Sequence, residues 1–504
     1  MNKKLINLAV AAALAAPAAA MAEATLYGVL HQSIDYIDQD DIEGLVLEFD
    51  PNSPLFGQQR LVVDQLAEGY DGWSISRADG NILDSYDALT VVGGPILLNW
   101  LVTGGLVEDQ FDQIAADPNA QQRAQDLADI IDGAVGTPDP DADGNWGVDG
   151  VGVLTRVYDR IGVTNAPVGP SNRLGVKGSE DLGNGLKGVY QVEFGIRLSD
   201  GDFSAANGDR GSVSMRNTFV GLGGDFGTFL IGRHDTPLKI STGKLDLFAD
   251  TMADYNGALG FNDIRADNVV AYISPSWSGF QFAGAVHAGG KATVDGLKNN
   301  DSDSLAEAWS VAAIYSNGPW YASAAYEELQ ADMSGDAADL QADIDDLDAA
   351  ILDYNAAYGA NLLPLGITVN DDFQKWRVGL GILDWNGFSL TGIYEDRMNT
   401  NFVEDYDTSS WEVQAAYAFG NNEIKAAYGS QDRDLDDLVG GAQANTEIAG
   451  IDLGTDIDGD VTQWSFAYDY NFSKRTKAYV LYNNVDDDYL PDWDGFSLGV
   501  VHKF

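Results

Sequence analysis

From Gln463 to Phe472, every second residue is a bulky aromatic: Trp464, Phe466, Tyr468, Tyr470 and Phe472. Between them lie Gln463, Ser465, Ala467, Asp469 and Asn471. A period of two is that of an extended strand, so one face is aromatic and the other polar or small. The same pattern runs from Trp411 to Phe419, where Trp411, Val413, Ala415, Tyr417 and Phe419 oppose Glu412, Gln414, Ala416 and Ala418. From Leu186 to Ser199, Leu186, Tyr190, Val192, Phe194, Ile196 and Leu198 oppose Lys187, Gln191, Glu193 and Arg197. A soluble sandwich also alternates, but it does not usually gather its aromatics on one face at the strand ends.

Punctuation between the strands gives their number. Short turn signals stand at Gly183-Asn184-Gly185, Gly223-Gly224-Asp225, Ser278-Gly279, Asn317-Gly318-Pro319, Asn386-Gly387, Gly420-Asn421-Asn422 and Ser473-Lys474-Arg475. Longer polar stretches lie near 38–170, 201–212, 238–266, 291–305, 331–372, 400–409, 435–459 and 487–493. Seven turns and eight loops in strict alternation predict sixteen strands. The longest apolar run in the body of the chain, Pro95 to Val102, falls far short of the roughly 20 residues a spanning helix needs. A closed barrel crosses a membrane without such a helix, because it leaves no strand edge unpaired in lipid. The expected fold is therefore all-β: a 16-stranded antiparallel transmembrane β-barrel with short turns at one end and long loops at the other.

Composition narrows the setting. Among 504 residues there are 78 acidic and 28 basic side chains, a formal charge of −50, which is unsuited to binding nucleic acid. There is no cysteine, and the four histidines, His31, His234, His287 and His502, are scattered. Thiolate chemistry is thereby excluded, and no HExxH pair or GxSxG elbow suggests an enzyme. Lys3 and Lys4, the apolar run Leu5 to Ala16, and Ala20-Met21-Ala22 have the form of a secretory signal, so residues 1–22 are expected to be removed on export. The remainder, 23–504, is expected to be one barrel domain.

Thr25-Leu-Tyr-Gly28, the run from Ser171 to Gly183, Gly185-Leu-Lys-Gly188, the run from Phe219 to Gly227, Ile231-Gly-Arg233, and Leu498 to the terminal Phe504 follow one another along the chain. In this order they resemble the motifs of the general trimeric porins of Gram-negative bacteria, in particular those of Neisseria and Bordetella. The resemblance covers 23–37 and most of 171–504. It implies a homotrimer in the outer membrane, in contact with lipid and lipopolysaccharide, passing small hydrophilic solutes by passive diffusion without a cofactor. It also implies that Phe496, Leu498, Val500, His502 and Phe504 form the strand read by the barrel-assembly machinery. The third external loop would fold into the lumen, carrying Asp246, Asp250 and Asp254 at intervals of four, with Lys239 and Lys244 before them. Basic wall candidates facing those acids are Arg173, Lys177, Lys187, Arg197, Arg216 and Arg233. Alternation supports a lumen position for Arg173, Lys177, Lys187 and Arg197. Arg233 instead shares the parity of Phe229 and Ile231, so its lumen role rests on the resemblance alone.

The departure from the resemblance is the insertion at about 38–170. Its residues 38–150 hold 23 acidic and 3 basic side chains. Leu127, Ile130 and Ile131 suggest a helical stripe there, as do Leu340, Ile344, Leu347 and Ile351 in a later loop. Asp139, Asp141 and Asp143 before Gly144 match half a calcium loop, but the closing glutamate position is Gly150, so a solvated acidic loop is favoured. The acidic loops lead to the expectation of moderate cation preference, weakening as salt rises. A substrate-selective channel of the same fold is the main alternative, and a non-channel adhesin a lesser one.

Overall fold

A computed structural model describes the chain over residues 24–39, 172–196, 213–287, 304–330, 372–434, 459–487 and 492–504, with short strands and single residues between. Sixteen long strands follow one another: Thr25–Gln39 (β1), Arg173–Gly183 (β2), Leu186–Ile196 (β3), Thr218–Gly224 (β4), Gly227–Asp235 (β5), Arg265–Ile273 (β6), Phe280–His287 (β7) and Ala308–Asn317 (β8). The second half comprises Trp320–Leu329 (β9), Phe373–Trp385 (β10), Phe388–Met398 (β11), Asp407–Phe419 (β12), Asn422–Asp434 (β13), Gly459–Asn471 (β14), Thr476–Asp487 (β15) and Trp493–Lys503 (β16). Each pairs antiparallel with its neighbours in sequence. β1 closes the ring, pairing with β16 from Val29↔Lys503 to Gln39↔Trp493 and with β2 from Thr25↔Lys177 to Val29↔Arg173. The last residue completes the seam: the Gly28 and Phe504 amides each donate to the other's carbonyl at 3.1 Å.

All seven short turns stand where the turn signals predicted them. At Asn386-Gly387 both residues have positive φ, 54° and 86°, the geometry whose twist matches that of the flanking strands.

Burial is inverted relative to a soluble protein. On β14, Gln463 and Asp469 are 0 % exposed while Phe466 is 51 % exposed. Polar side chains therefore line the inside and apolar ones the outside, as a hydrocarbon surround requires. The outward aromatics form two levels. Trp376–Tyr394, Trp411–Tyr428, Trp464–Tyr482 and Tyr482–Phe496 meet across neighbouring strands at 4.8–5.6 Å between ring centres, toward the long-loop end. Trp320, Trp385, Tyr417, Phe419 and Phe472 stand exposed beside the turns. The two levels match the two interfaces of a membrane.

The acidic insertion is not loop throughout. Ile42–Phe49, Arg60–Asp64 and Val148–Arg156 form a sheet of their own, and Arg160–Val163 pairs with β1 at Ile34–Ile37. Four residues are too few to register as an alternating strand in sequence, so the boundary of the expected 38–170 stretch overran the wall. Both proposed helical stripes fall outside the described residues.

Candidate functional site

The segment between β5 and β6 lies against the inner wall. Thr236 caps α1 (Pro237–Thr242), accepting from the Lys239 amide, and Pro237 opens the helix where its missing N–H costs nothing. Asp254 caps α2 (Tyr255–Ala258), accepting from the Asn256 amide at 3.0 Å. Leu238, Leu245, Phe248, Tyr255 and Leu259 are buried, although a loop over the mouth would expose them. The wall makes room with small residues. Leu238 packs on Ala312 and Ala325, and a Cβ added to Gly379 would come within 2.4 Å of Leu245 Cδ1. Further along, Met252 and Phe248 join Ile37, Leu481 and Val501 on the β15, β16 and β1 side. The segment thus crosses the lumen and narrows it.

Four basic wall residues hold it by hydrogen bonds. Lys375 Nζ donates to Asn262 Oδ1 at 2.7 Å and pairs with Glu327 at 2.7 Å. Arg377 reaches Thr242 Oγ1 at 2.9 Å, Asp263 at 2.6 Å and Glu395 at 2.5 Å. Arg397 donates to the Gly260 carbonyl and to Ser410 Oγ, which donates in turn to the Leu259 carbonyl. Lys425 donates to the Leu247 carbonyl at 2.9 Å and shares Asp469 with Lys477. None of these residues was singled out from the sequence. The signal was present in the inward parity of Lys375 and Arg377 around Trp376, but parity alone does not say that a loop will lie over them.

The predicted wall candidates occupy the other side. Arg173 meets Asp250 at 3.5 Å, both side chains partly exposed, and among the described residues it is the one predicted wall cation that pairs with a predicted loop acid. Lys177 is exposed, with its ammonium 4.9 Å from the Tyr27 ring centre. Arg216 pairs with Glu193 at 2.7 Å, which also accepts from the Tyr27 hydroxyl. Arg265, unremarked in the sequence, pairs with Asp235 at 2.9 Å. Lys239 lies 3.8 Å from Asp235 and 4.0 Å from Asp263, and Lys244 sits 5.8 Å from the Tyr321 ring centre. Arg233 pairs with Asp267 and donates to the Met215 carbonyl, beside a register shift between Gly232 and His234. Lys187 is exposed next to the β2–β3 turn. Arg197 and the acids Asp139, Asp141 and Asp143 lie outside the described residues. Among the described residues, no group of three or more His, Asp or Glu side chains converges as a metal site.

The three loop acids do not act as a set. Asp254 is given over to capping, accepting from Asp250 N, Asn256 N and Asn256 Nδ2, and burial pushes its carboxyl up to about 6. Asp246 accepts from Phe248 N and Gln414 Nε2. Burial, with Asp254 and Glu412 beside it, raises its carboxyl well above the usual range. Asp263, which the sequence did not mark, is also buried, but Arg377 and Lys239 outweigh that burial and hold it below its ordinary value.

At the C-terminus, Phe496, Leu498, Val500 and Phe504 face outward. His502 is also exposed, its Nδ1 2.9 Å from Thr476 Oγ1.

A closed sixteen-strand wall with an inverted burial pattern and a lumen crossed by one loop is the architecture of a diffusion channel. The family model described as "Gram-negative porin" matches residues 142–490. The chain belongs to the Gram-negative porin family. An outer membrane porin protein of Bordetella pertussis is 26 % identical to this porin over 368 residues, spanning 69 % of this chain and 86 % of the relative. Major outer membrane protein P.IB of Neisseria meningitidis is 26 % identical over 346 residues, spanning 66 % and 83 %. Among solved structures, an anion-selective porin from Comamonas acidovorans superimposes with a TM-score of 0.52 at 17 % identity, covering 96 % of this chain and all of the other, a likeness of fold. The protein is an outer-membrane porin, and its wall spans the membrane with strands.

Proposed function

We propose that this porin conducts ions and small hydrophilic solutes by passive diffusion as a homotrimer, with a preference for cations at low salt. The observation that carries the preference is charge pairing in the described lumen. Arg173, Arg216, Arg233, Arg265, Lys375, Arg377 and Arg397 each lie against a carboxylate. Paired charges cancel at a distance, so the field of the channel is left to the acidic outer stretches. Residues 38–150 carry 23 acids against 3 bases and residues 432–460 carry nine against one. Cations concentrate within a Debye length of such a mouth, about 8 Å at physiological salt. The outward aromatic levels support contact with outer-membrane lipid and lipopolysaccharide. The outward residues of β16 support its reading by the barrel-assembly machinery. Reversal potentials across a salt gradient in planar bilayers test the preference: cation selectivity falling with ionic strength is expected. Anion selectivity at low salt would overturn it and leave the channel assignment standing.

A further inference from the structure

Arg377 differs from the other wall cations in what it joins. It is 0 % exposed, so no permeating ion touches it. Its guanidinium sits within 6 Å of the ring centres of Tyr255 and Phe261, at 5.7 and 5.5 Å. In its plane it donates to Thr242 Oγ1 at the end of α1, to Asp263 Oδ1, and more weakly to the Asn262 carbonyl at 3.4 Å. Behind it, Glu395 Oε2 on β11 takes both Nε and the second terminal nitrogen, at 2.7 and 2.5 Å. One side chain therefore ties the entering arm, the second helix and the leaving arm of the lumen segment to the wall.

We propose that Arg377 is a positioning residue that clamps residues 236–264 to the wall and thereby sets the bore and steadiness of the channel. The proposal rests on the channel reading only and is independent of ion preference. A planar fork is needed because the acceptors lie on three sides between two rings, and a lysine ammonium would satisfy them as a point charge without that fork. Without the guanidinium, the only cations left among the described residues would be Lys239 at 4.0 Å for Asp263 and Arg397 at 3.3 Å for Glu395, and the leaving arm would be tied to the wall more loosely. Arg397 and Lys375 hold only single points of that arm, at Gly260 and Asn262.

The test uses single-channel recording of the full porin. Arg377→Gln is expected to raise open-channel current variance several-fold and to increase mean conductance, and Arg377→Lys is expected to restore neither fully. A charge acting through its field would be restored by the lysine, whereas the loss of the planar fork would not. If Arg377→Gln yields no folded, heat-modifiable protein, Asp263→Asn decides, because it leaves the Arg377–Glu395 wall pair in place and should raise variance in the same direction. Unchanged variance in the folded Arg377→Gln protein, or in Asp263→Asn where that variant decides, overturns the proposal. So does full restoration of both variance and conductance by Arg377→Lys.

Discussion

Replacing Asp250 by asparagine isolates one charge in the lumen. Asp250 faces Arg173 at 3.5 Å, and the two side chains keep 34 % and 27 % of their surface in water. Its backbone is left-handed, with φ 61°, a conformation asparagine also adopts readily. Its amide still donates to Asp254 Oδ2 at 2.8 Å, so the loop keeps that tie. The substitution thus leaves Arg173 unopposed with little change of shape. A unit charge about 7 Å from a passing ion shifts that ion's energy by about 0.6 kcal/mol in water. Screening over a Debye length of about 30 Å at 0.01 M salt reduces this to about 0.5 kcal/mol, and over about 8 Å at 0.15 M to about 0.25 kcal/mol. Cations and anions shift in opposite directions. The permeability ratio should therefore move toward anions by about fivefold at 0.01 M and about twofold at 0.15 M. Reversal potentials of Asp250→Asn and parent, measured at both ionic strengths, read this directly, and unaltered conductance in high salt certifies that the loop has stayed in place. An unchanged ratio at 0.01 M would refute the reasoning, because it would mean that ions pass Arg173 at a distance where its charge is not felt.

Loop docking should weaken with rising pH. Asp254 binds its proton more tightly in the docked loop, at about 6, than at its ordinary value of 3.8, with Asp246 raised beside it and Asp250 and Glu412 as acidic neighbours. The docked state holds the extra proton, so Asp254 contributes a loss of at most about 3 kcal/mol as pH rises from about 4 to 6, and the raised Asp246 adds to it in the same direction. Open-channel variance should rise with pH across this interval, and Asp254→Asn, which keeps a capping side chain, should reduce the rise. Gly499→Ala should destabilise the barrel by about 1–3 kcal/mol. Its new methyl would sit 2.2 Å from the ring of buried Tyr479, which His31 Nε2 holds at 2.9 Å, and a lower unfolding temperature in detergent checks it. Deleting Phe504 removes its pair of backbone bonds with Gly28, and a smaller yield of folded protein in the outer membrane is the expected outcome.

The barrel was legible because its information is local. Each strand's parity, each turn's glycine and the alternation of short and long connections depend on neighbours a few residues away, and lipid outside with water inside makes that parity visible in the choice of side chain. What faces what inside the lumen is not local. Arg173 and Arg377 are both inward-pointing bases on strands, yet one faces partly open lumen and the other lies sealed under the crossing loop. Asp246, Asp250 and Asp254 are spaced by four as though on one helical face. Within the loop between Asp235 and Arg265 the helices are Pro237–Thr242 and Tyr255–Ala258, so that spacing aligns nothing: one acid meets an arginine, one bonds to Gln414 and one caps a helix. At Arg233, a register shift breaks the two-residue count on which any parity argument rests. The sequence by itself determined the wall, its inner and outer faces and its turns. Only the tertiary structure decided which wall cations hold the loop and which remain beside the path, because that division depends on where a 29-residue connection between Asp235 and Arg265 comes to rest across the lumen.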